Sequence, residues 1–399
     1  MNRAERPRAS AAPPVPRGLV GTPFEPRLRD LSVAHAWADW SGRLSPSVLV
    51  EVEAEYFSIR NQASLFDISP MRKYRISGPD AARVADRLVT RSVGGLEPGR
   101  VAYVLWCDED GMVIDDGTLF RLGDDDFRLC CQERQLGWLC DVAWGFDARI
   151  GDETDDIAAL ALQGPTAFAV LEAAGLDVPS LRPFDFAEPE PGLTVSRTGF
   201  TGDLGYELWV RPDAALALWD RLWSAGETFG LRAIGSAALE IARIEAGFIQ
   251  TGVDFQSIHA VERASRGRTP FELGLGRLVD FRKGHFNGRR ALARHAVAGP
   301  RRRLVMLDID GSKPARDALV HVGARREAGH VTSAVWAPTA KRSIAFAELA
   351  AAHAASDALR AEIYLQKEGK WERRWVRATV TDRAVWRPAR ARRTPPDRR

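Results

Sequence analysis

The chain has only four cysteines in 399 residues, Cys107, Cys130, Cys131 and Cys140, with no CxxC spacing and no histidine cluster beside them. That pattern excludes a disulfide framework, offers no metal site and fits a reducing cytoplasm. No run of about 18 apolar residues occurs, so no membrane span is expected. The opening stretch MNRAERPRASAAPPVPRG is basic but lacks the apolar core of a signal peptide, so secretion is not expected either. Net charge is small as well. The 56 Lys plus Arg exceed the 53 Asp plus Glu by a formal +3, which points to no nucleic-acid partner. The signatures GxxxxGK[ST], HExxH and GxSxG are missing, and LGLGRL around Gly274 lacks the third glycine and preceding strand of a dinucleotide fold.

What is present is 45% hydrophobic content over a length that suggests two or three domains. Residues 1–45 read as a disordered or extended N-terminal segment, and 389–399 as a solvated basic tail. Between them strand and helix signals mix without regular βαβ alternation, which predicts an α+β fold. Lys73 to Ser77 (KYRIS) reads as a strand, followed by a helix opened by Pro79 and Asp80. Val101 to Trp106 and Met112 to Phe120 read as a hairpin closed by CDEDG. Asp115 and Asp116 fall in its second strand, where side chains alternate, so only one is expected to face a pocket. A second hairpin spans 196–210, and two amphipathic helices follow at 213–230 and 235–248, with Gly247 at a C-cap position. After residue 300 short strand-like runs predict a small β-barrel or jelly-roll-like domain. No internal repeat is visible.

Six segments, in this order and spacing, carry a family likeness: SLFDISPM (64–71), AYVLWCDEDGMVIDD (102–116), RTGFTGDLGYEL (197–208), ARIEAG (242–247), LGLGRLVDFRKGHFNGRRAL (273–292) and GHVTSAVWAPTAKRSIAFAEL (329–349). With them the chain resembles the glycine-cleavage T-protein (aminomethyltransferase) superfamily over about residues 46–385. The resemblance implies a three-domain cloverleaf: two interleaved α+β folate-binding domains over 46–298 and a C-terminal barrel over 299–388, with tetrahydrofolate in a central channel. It places Asp116 as the catalytic carboxylate near folate N10 and the incoming carbon, with Asp115 beside it on the cofactor side. Such a group can steer a proton and stabilise developing positive charge. Glu207 falls where a carboxylate takes hydrogen bonds from the pterin ring, and Arg243 falls near the folate. Met71, Tyr103 and Phe200 fall along the channel. Trp106, one of twelve tryptophans and next to the predicted active hairpin, could help bind an apolar or cationic methyl donor.

Two donors fit that family: a small methylated molecule, as in the folate-dependent demethylases, or an aminomethyl group on a lipoyl carrier protein. SPM in place of SHM, Phe200 in place of tyrosine, IDDG in place of IDDL and ARIEAGFIQTGVDF in place of an LRLEAGM-type segment favour the small donor. A non-catalytic, folate-binding role in iron–sulfur maintenance is disfavoured, because KGHFNGRR at 283–290 has no cysteine and offers only His285. The oxidase domain that precedes related folate modules is absent, so group transfer without a redox step of its own is expected.

Overall fold

The computed structural model describes residues 18–178, 181–323, 326–381 and 384–396. The chain begins with helix α1 (Glu25–Leu31), hairpin strands β1 (Ala36–Trp40) and β2 (Arg43–Val48), helix α2 (Val52–Asn61) and strand β3 (Ser64–Asp67). It then builds a five-stranded sheet from β4 (Arg72–Ser77), β5 (Arg100–Cys107), β6 (Val113–Gly123), β7 (Asp126–Cys131) and β8 (Arg149–Asp152), in spatial order β5-β6-β7-β4-β8. Helices α3 (Ala81–Leu88) and α4 (Leu136–Val142) cover one face of it.

The next segment returns to β3. Strands β9 (Ala158–Gln163), β10 (Phe186–Glu190), β11 (Leu193–Ser196), β12 (Gly205–Val210) and β13 (Arg232–Ala233) join it in the order β10-β11-β12-β9-β3-β13. Helices α5 (Ala167–Ala173) and α6 (Ala215–Gly226) pack on that sheet. Because β3 precedes the first sheet yet belongs to the second, the two α+β layers are interleaved, as expected. Helix α7 (Ser236–Glu245) lies between them, and α8 (Arg289–Ala298) leads into the barrel. Its strands are β14 (Arg302–Ile309), β15 (Leu319–Val322), β16 (Arg326–Ala337), β17 (Arg342–Ala350), β18 (Leu359–Lys367) and β19 (Lys370–Thr381). They close in the order β14-β17-β16-β15-β18-β19. Among the described residues no helix is long and apolar enough to cross a membrane.

The uncovered faces of the two sheets meet in one apolar cluster. Val101, Phe120 and Cys130 come from the first sheet, Phe66, Ala159, Ala161 and Trp209 from the second, and Ala238 and Ala242 from α7. The edge-on Phe120–Trp209 contact, 5.5 Å between ring centroids, crosses that junction. Polar side chains on these facing surfaces are therefore held between three rigid elements.

Two expectations are corrected. Residues 18–45 are not an extended or disordered lead: Phe24 and Leu28 are fully buried in the core, and the Thr22 hydroxyl donates to buried Asp67 at 2.5 Å. Two apolar residues four apart among Pro and Arg gave too sparse a helical pattern to read. Residues 1–17 lie outside the described residues.

The basic tail is docked as far as it is described. Arg390 clamps Asp203 with Nε at 2.6 Å and Nη2 at 2.8 Å, and Arg197 donates to the Thr394 hydroxyl at 2.7 Å. A composition rich in arginine looks solvated until buried carboxylates are known to await it.

Two strand-to-helix corners share one device. Ser77-Gly78-Pro79 leads from β4 into α3, and Gln163-Gly164-Pro165 leads from β9 into α5. Both glycines have positive φ, 118° and 125°. A Cβ would lie 2.8 Å from the Asp147 carbonyl oxygen at the first and 2.4 Å from that of Gln62 at the second, so each strand-to-helix corner needs glycine.

Candidate functional site

The site grows from an irregularity in the β5–β6 hairpin. Trp106 pairs with Asp115 but Cys107 with Val113, so Ile114 is an extra, bulged residue immediately before the two aspartates. Asp116, half-buried, accepts the Tyr103 hydroxyl at 2.5 Å and the Thr251 hydroxyl at 2.9 Å. Asp115, fully buried, accepts the same Thr251 hydroxyl at 2.7 Å and the amides of Asp116 and Glu133 at 2.9 and 2.8 Å. As strand alternation predicts, only one of the two acids, Asp116, keeps exposed surface, while both carboxylates share the Thr251 hydroxyl.

Thr251 carries one hydroxyl proton and can donate it to only one carboxylate at a time. Burial, and after it the negative charge of Asp116, pushes Asp115 above the usual carboxylate range. The arrangement is therefore satisfied when Asp115 keeps a proton for Thr251 and Thr251 donates to Asp116. Asp115 itself is sealed and touches no open surface.

Gly117 follows directly and explains the IDDG departure. A Cβ there would fall 2.1 Å from the Cys130 carbonyl oxygen of the neighbouring strand. Gly117→Ala is expected to destabilise the protein by about 1–3 kcal/mol through the forced separation of β6 and β7. A denaturation midpoint equal to wild type would refute this close approach.

Trp106 does not belong to the site. It alternates with Tyr103 along β5 and points into the core beneath the sheet, fully buried, where no donor can reach it.

Arg243 is also redirected. It is fully buried, with Nε and Nη2 donating to the Glu240 carboxylate at 2.8 and 2.5 Å and Nη1 to the Phe248 carbonyl at 3.0 Å and to Asp254. These partners occupy the guanidinium, so Arg243 positions a loop rather than offering free donors to a ligand. Asp254 in turn accepts hydroxyls from Thr332 at 2.9 Å and Ser333 at 2.6 Å on the barrel. The loop carrying Thr251 is thereby fastened to α7 and to the barrel.

Glu207 stands on β12 opposite Ala161. Its Oε2 accepts the Thr198 hydroxyl at 2.5 Å, while Oε1 receives no hydrogen bond from any described residue. Burial pushes its carboxyl up to about 7, the Thr198 bond opposing. Phe200, two residues beyond Thr198, stacks on Phe248 with centroids 5.6 Å apart. Its loop is held by Gln163, whose amide donates to the Thr198 and Tyr206 carbonyls at 3.3 and 3.2 Å. Met71, Leu239 and Ile241 are half-buried and pack on the cluster shared by both sheets. Tyr103 and Ile241 do the same on the neighbouring barrel-side cluster.

Asp116, Tyr103, Met71 and Phe200 thus keep some exposed surface around α7, and Glu207 keeps one carboxylate oxygen without a donor among the described residues. Thr251, Thr198, Phe248 and Asp254 were not foreseen. The only signal was that FIQTGVDF departed from the family pattern, and nothing in it singled out the threonine.

Comparison with known proteins fits this architecture. Residues 36–283 match the family model of the GCVT N-terminal domain, and 302–384 that of the glycine cleavage T-protein C-terminal barrel domain. An aminomethyltransferase of Streptomyces coelicolor is 35% identical over 331 residues, covering 79% of this chain and 86% of that protein. A trimethylamine-oxide aldolase of Ruegeria pomeroyi is 36% identical over 75% of this chain, which spans 39% of that longer protein. The crystal structure of the glycine cleavage system aminomethyltransferase T from Bartonella henselae superposes with a TM-score of 0.81 at 25% identity, over 91% of this chain and 97% of that one. Sequence and fold agree that the chain belongs to the glycine-cleavage T-protein family.

Proposed function

We propose that this enzyme transfers a one-carbon unit to tetrahydrofolate, and that the unit is a methyl group taken from a small methylated donor. The observation that carries the reading is the Tyr103–Asp116–Thr251–Asp115 chain, opening at Asp116 between the two sheets. The residues fit a folate. Glu207 presents an open carboxylate oxygen suited to a ring amino group or N–H, and Met71, Ile241 and Phe200 supply apolar surface for a flat heterocycle. One oxygen of Glu207 is already held by Thr198, so the contact is through Oε1 unless Thr198 turns away.

Tetrahydrofolate supplies the nitrogen nucleophiles that accept the carbon. The protein supplies the electrostatics. Asp116, oriented by two hydroxyls, places negative charge where a cationic centre develops, and Thr251 can pass a proton between Asp116 and Asp115. The similarity to a trimethylamine-oxide aldolase supports a small methylated nitrogen compound as donor. The second reading, transfer of an aminomethyl group from a lipoyl carrier protein, is supported by the aminomethyltransferase relatives. Anaerobic turnover with a donor panel, and identification of the folate product by mass, separates them. 5-Methyltetrahydrofolate from a small donor supports the first; 5,10-methylenetetrahydrofolate and ammonia from the carrier protein support the second.

Glu207 gives a pH dependence. Its folded pKa of about 7 lies above the unfolded value, so its burial weakens the free fold progressively as pH rises from the unfolded pKa towards 7. N–H donors select the ionised form, so tetrahydrofolate affinity should rise with pH up to about 7 and then level, with proton release on binding at about pH 6. Glu207→Gln should flatten the profile. A wild-type affinity that does not change between about pH 5.5 and 8.5 would remove Glu207 from the pterin contact.

A further inference from the structure

A pair of cations beside the site has no counter-charge among the described residues. β5 is the outer strand of its sheet. Residues 89–91 run along its open edge, where the Thr90 amide donates to the Leu105 carbonyl at 3.0 Å and the Arg91 guanidinium donates to the Tyr103 carbonyl at 3.0 Å. The turn at 276–280 lies against them: the Thr90 hydroxyl donates to the Leu278 carbonyl at 2.8 Å, and the Asp280 amide to the Thr90 carbonyl at 3.0 Å. These bonds bring Arg277, which is exposed, beside the half-buried Arg91.

Burial, and then the charge of Arg277, holds Arg91 below the ordinary guanidinium value. Neither arginine forms an ion pair with any described residue. The two nearest acids in sequence are already engaged, Asp280 with Arg282 at 3.0 Å and Asp86 with Lys283 at 3.2 Å. Two like charges side by side, one partly desolvated, are unfavourable until an anion joins them. A planar carboxylate is the natural guest of paired guanidinium groups. The neighbouring surface is apolar: Tyr103, Ile241, Phe271 and Val279 are half-buried on one cluster.

We propose that Arg91 and Arg277 form a carboxylate-binding subsite at the open edge of β5, taking the glutamyl carboxylate of a folate or the carboxylate of a one-carbon donor. The proposal rests on the folate-transferase reading and adds the recognition of a charged group to it. Wild type, Arg91→Gln and Arg277→Gln are titrated calorimetrically with two matched pairs. Tetrahydrofolate is compared with the primary amide of tetrahydropteroate, which lacks the glutamate and any carboxylate, and N,N-dimethylglycine with trimethylamine, which lacks the carboxylate.

Each variant should lose at least about tenfold in affinity, about 1.4 kcal/mol, for the carboxylate member of one pair and keep its affinity for the other member. Loss confined to tetrahydrofolate assigns the subsite to the folate tail; loss confined to dimethylglycine assigns it to the donor. Wild type that binds tetrahydrofolate while both variants match it for every probe overturns the subsite alone. Wild type that binds neither folate form overturns the transferase reading and the subsite together.

Discussion

Asp116→Asn should lower kcat by about 10²–10⁴-fold while leaving tetrahydrofolate affinity within about twofold. Asparagine keeps the shape and can still accept the Tyr103 hydroxyl, which lies 2.5 Å from the aspartate, but it carries no charge and cannot take a proton. The change therefore removes only what matters as the carbon moves. Folate affinity is spared because Glu207, Met71 and Phe200 stand on other elements. Asp115→Asn should act differently, since Asp115 contacts Thr251 and two amides and no open surface. It should displace the alkaline limb of the kcat profile and lower its maximum less than Asp116→Asn does. Equal turnover by wild type and Asp116→Asn, at saturating substrates, would remove Asp116 from the chemistry.

Glu245→Ala should have the largest effect on stability, about 3–5 kcal/mol. Glu245 and Arg60 are both sealed from solvent, with Arg60 Nη2 2.7 Å from Glu245 Oε2. The same carboxylate accepts the Tyr56 hydroxyl at 2.8 Å and the Thr339 hydroxyl at 2.5 Å, which ties α2 and α7 to the barrel. Removing it takes the nearer counter-charge from a buried guanidinium, leaving Asp203 at 3.8 Å, and leaves the Tyr56 and Thr339 hydroxyls only their mutual bond at 2.9 Å. The disturbance should reach the folate loop, because Arg60 also donates to the Thr201 carbonyl at 2.9 Å and faces Trp386, which bonds Asp203 at 3.1 Å. Glu245→Gln, which keeps volume and one acceptor, should cost less. A loss under about 1 kcal/mol for Glu245→Ala, read from the unfolding midpoint, would mean the junction relaxes without it.

Much of this architecture could be read from the chain because local signals agreed with the final fold. The hairpin over 101–120, the helix over 235–248 with Gly247 at φ 77°, and the barrel strands after residue 300 all form as their patterns predict. Candidate residues could be placed in the fold where they stand on a regular strand, as Tyr103 and Glu207 do. The site was illegible where tertiary structure supplies the contact. The Thr251 hydroxyl, from a distant loop, joins two acids that alternate along β6, and periodicity carries no trace of that link. Arg243 shows the complementary limit. A helical arginine among apolar neighbours reads equally as a ligand contact or an internal ion pair, and only Asp254, eleven residues on in a loop, decides for the latter. Trp106 and Tyr103 differ by three positions on one strand, and sheet geometry alone sends one to the core and the other to Asp116.

The most direct test of the account is equilibrium binding of tetrahydrofolate to wild type, Asp116→Asn and Glu207→Ala at one pH above about 7.5, where Glu207 is ionised. The account predicts tight binding by wild type, binding within about twofold by Asp116→Asn, and binding at least about tenfold weaker by Glu207→Ala. Wild type that fails to bind tetrahydrofolate, or Glu207→Ala that binds it as well as wild type, would contradict a folate site between these two sheets.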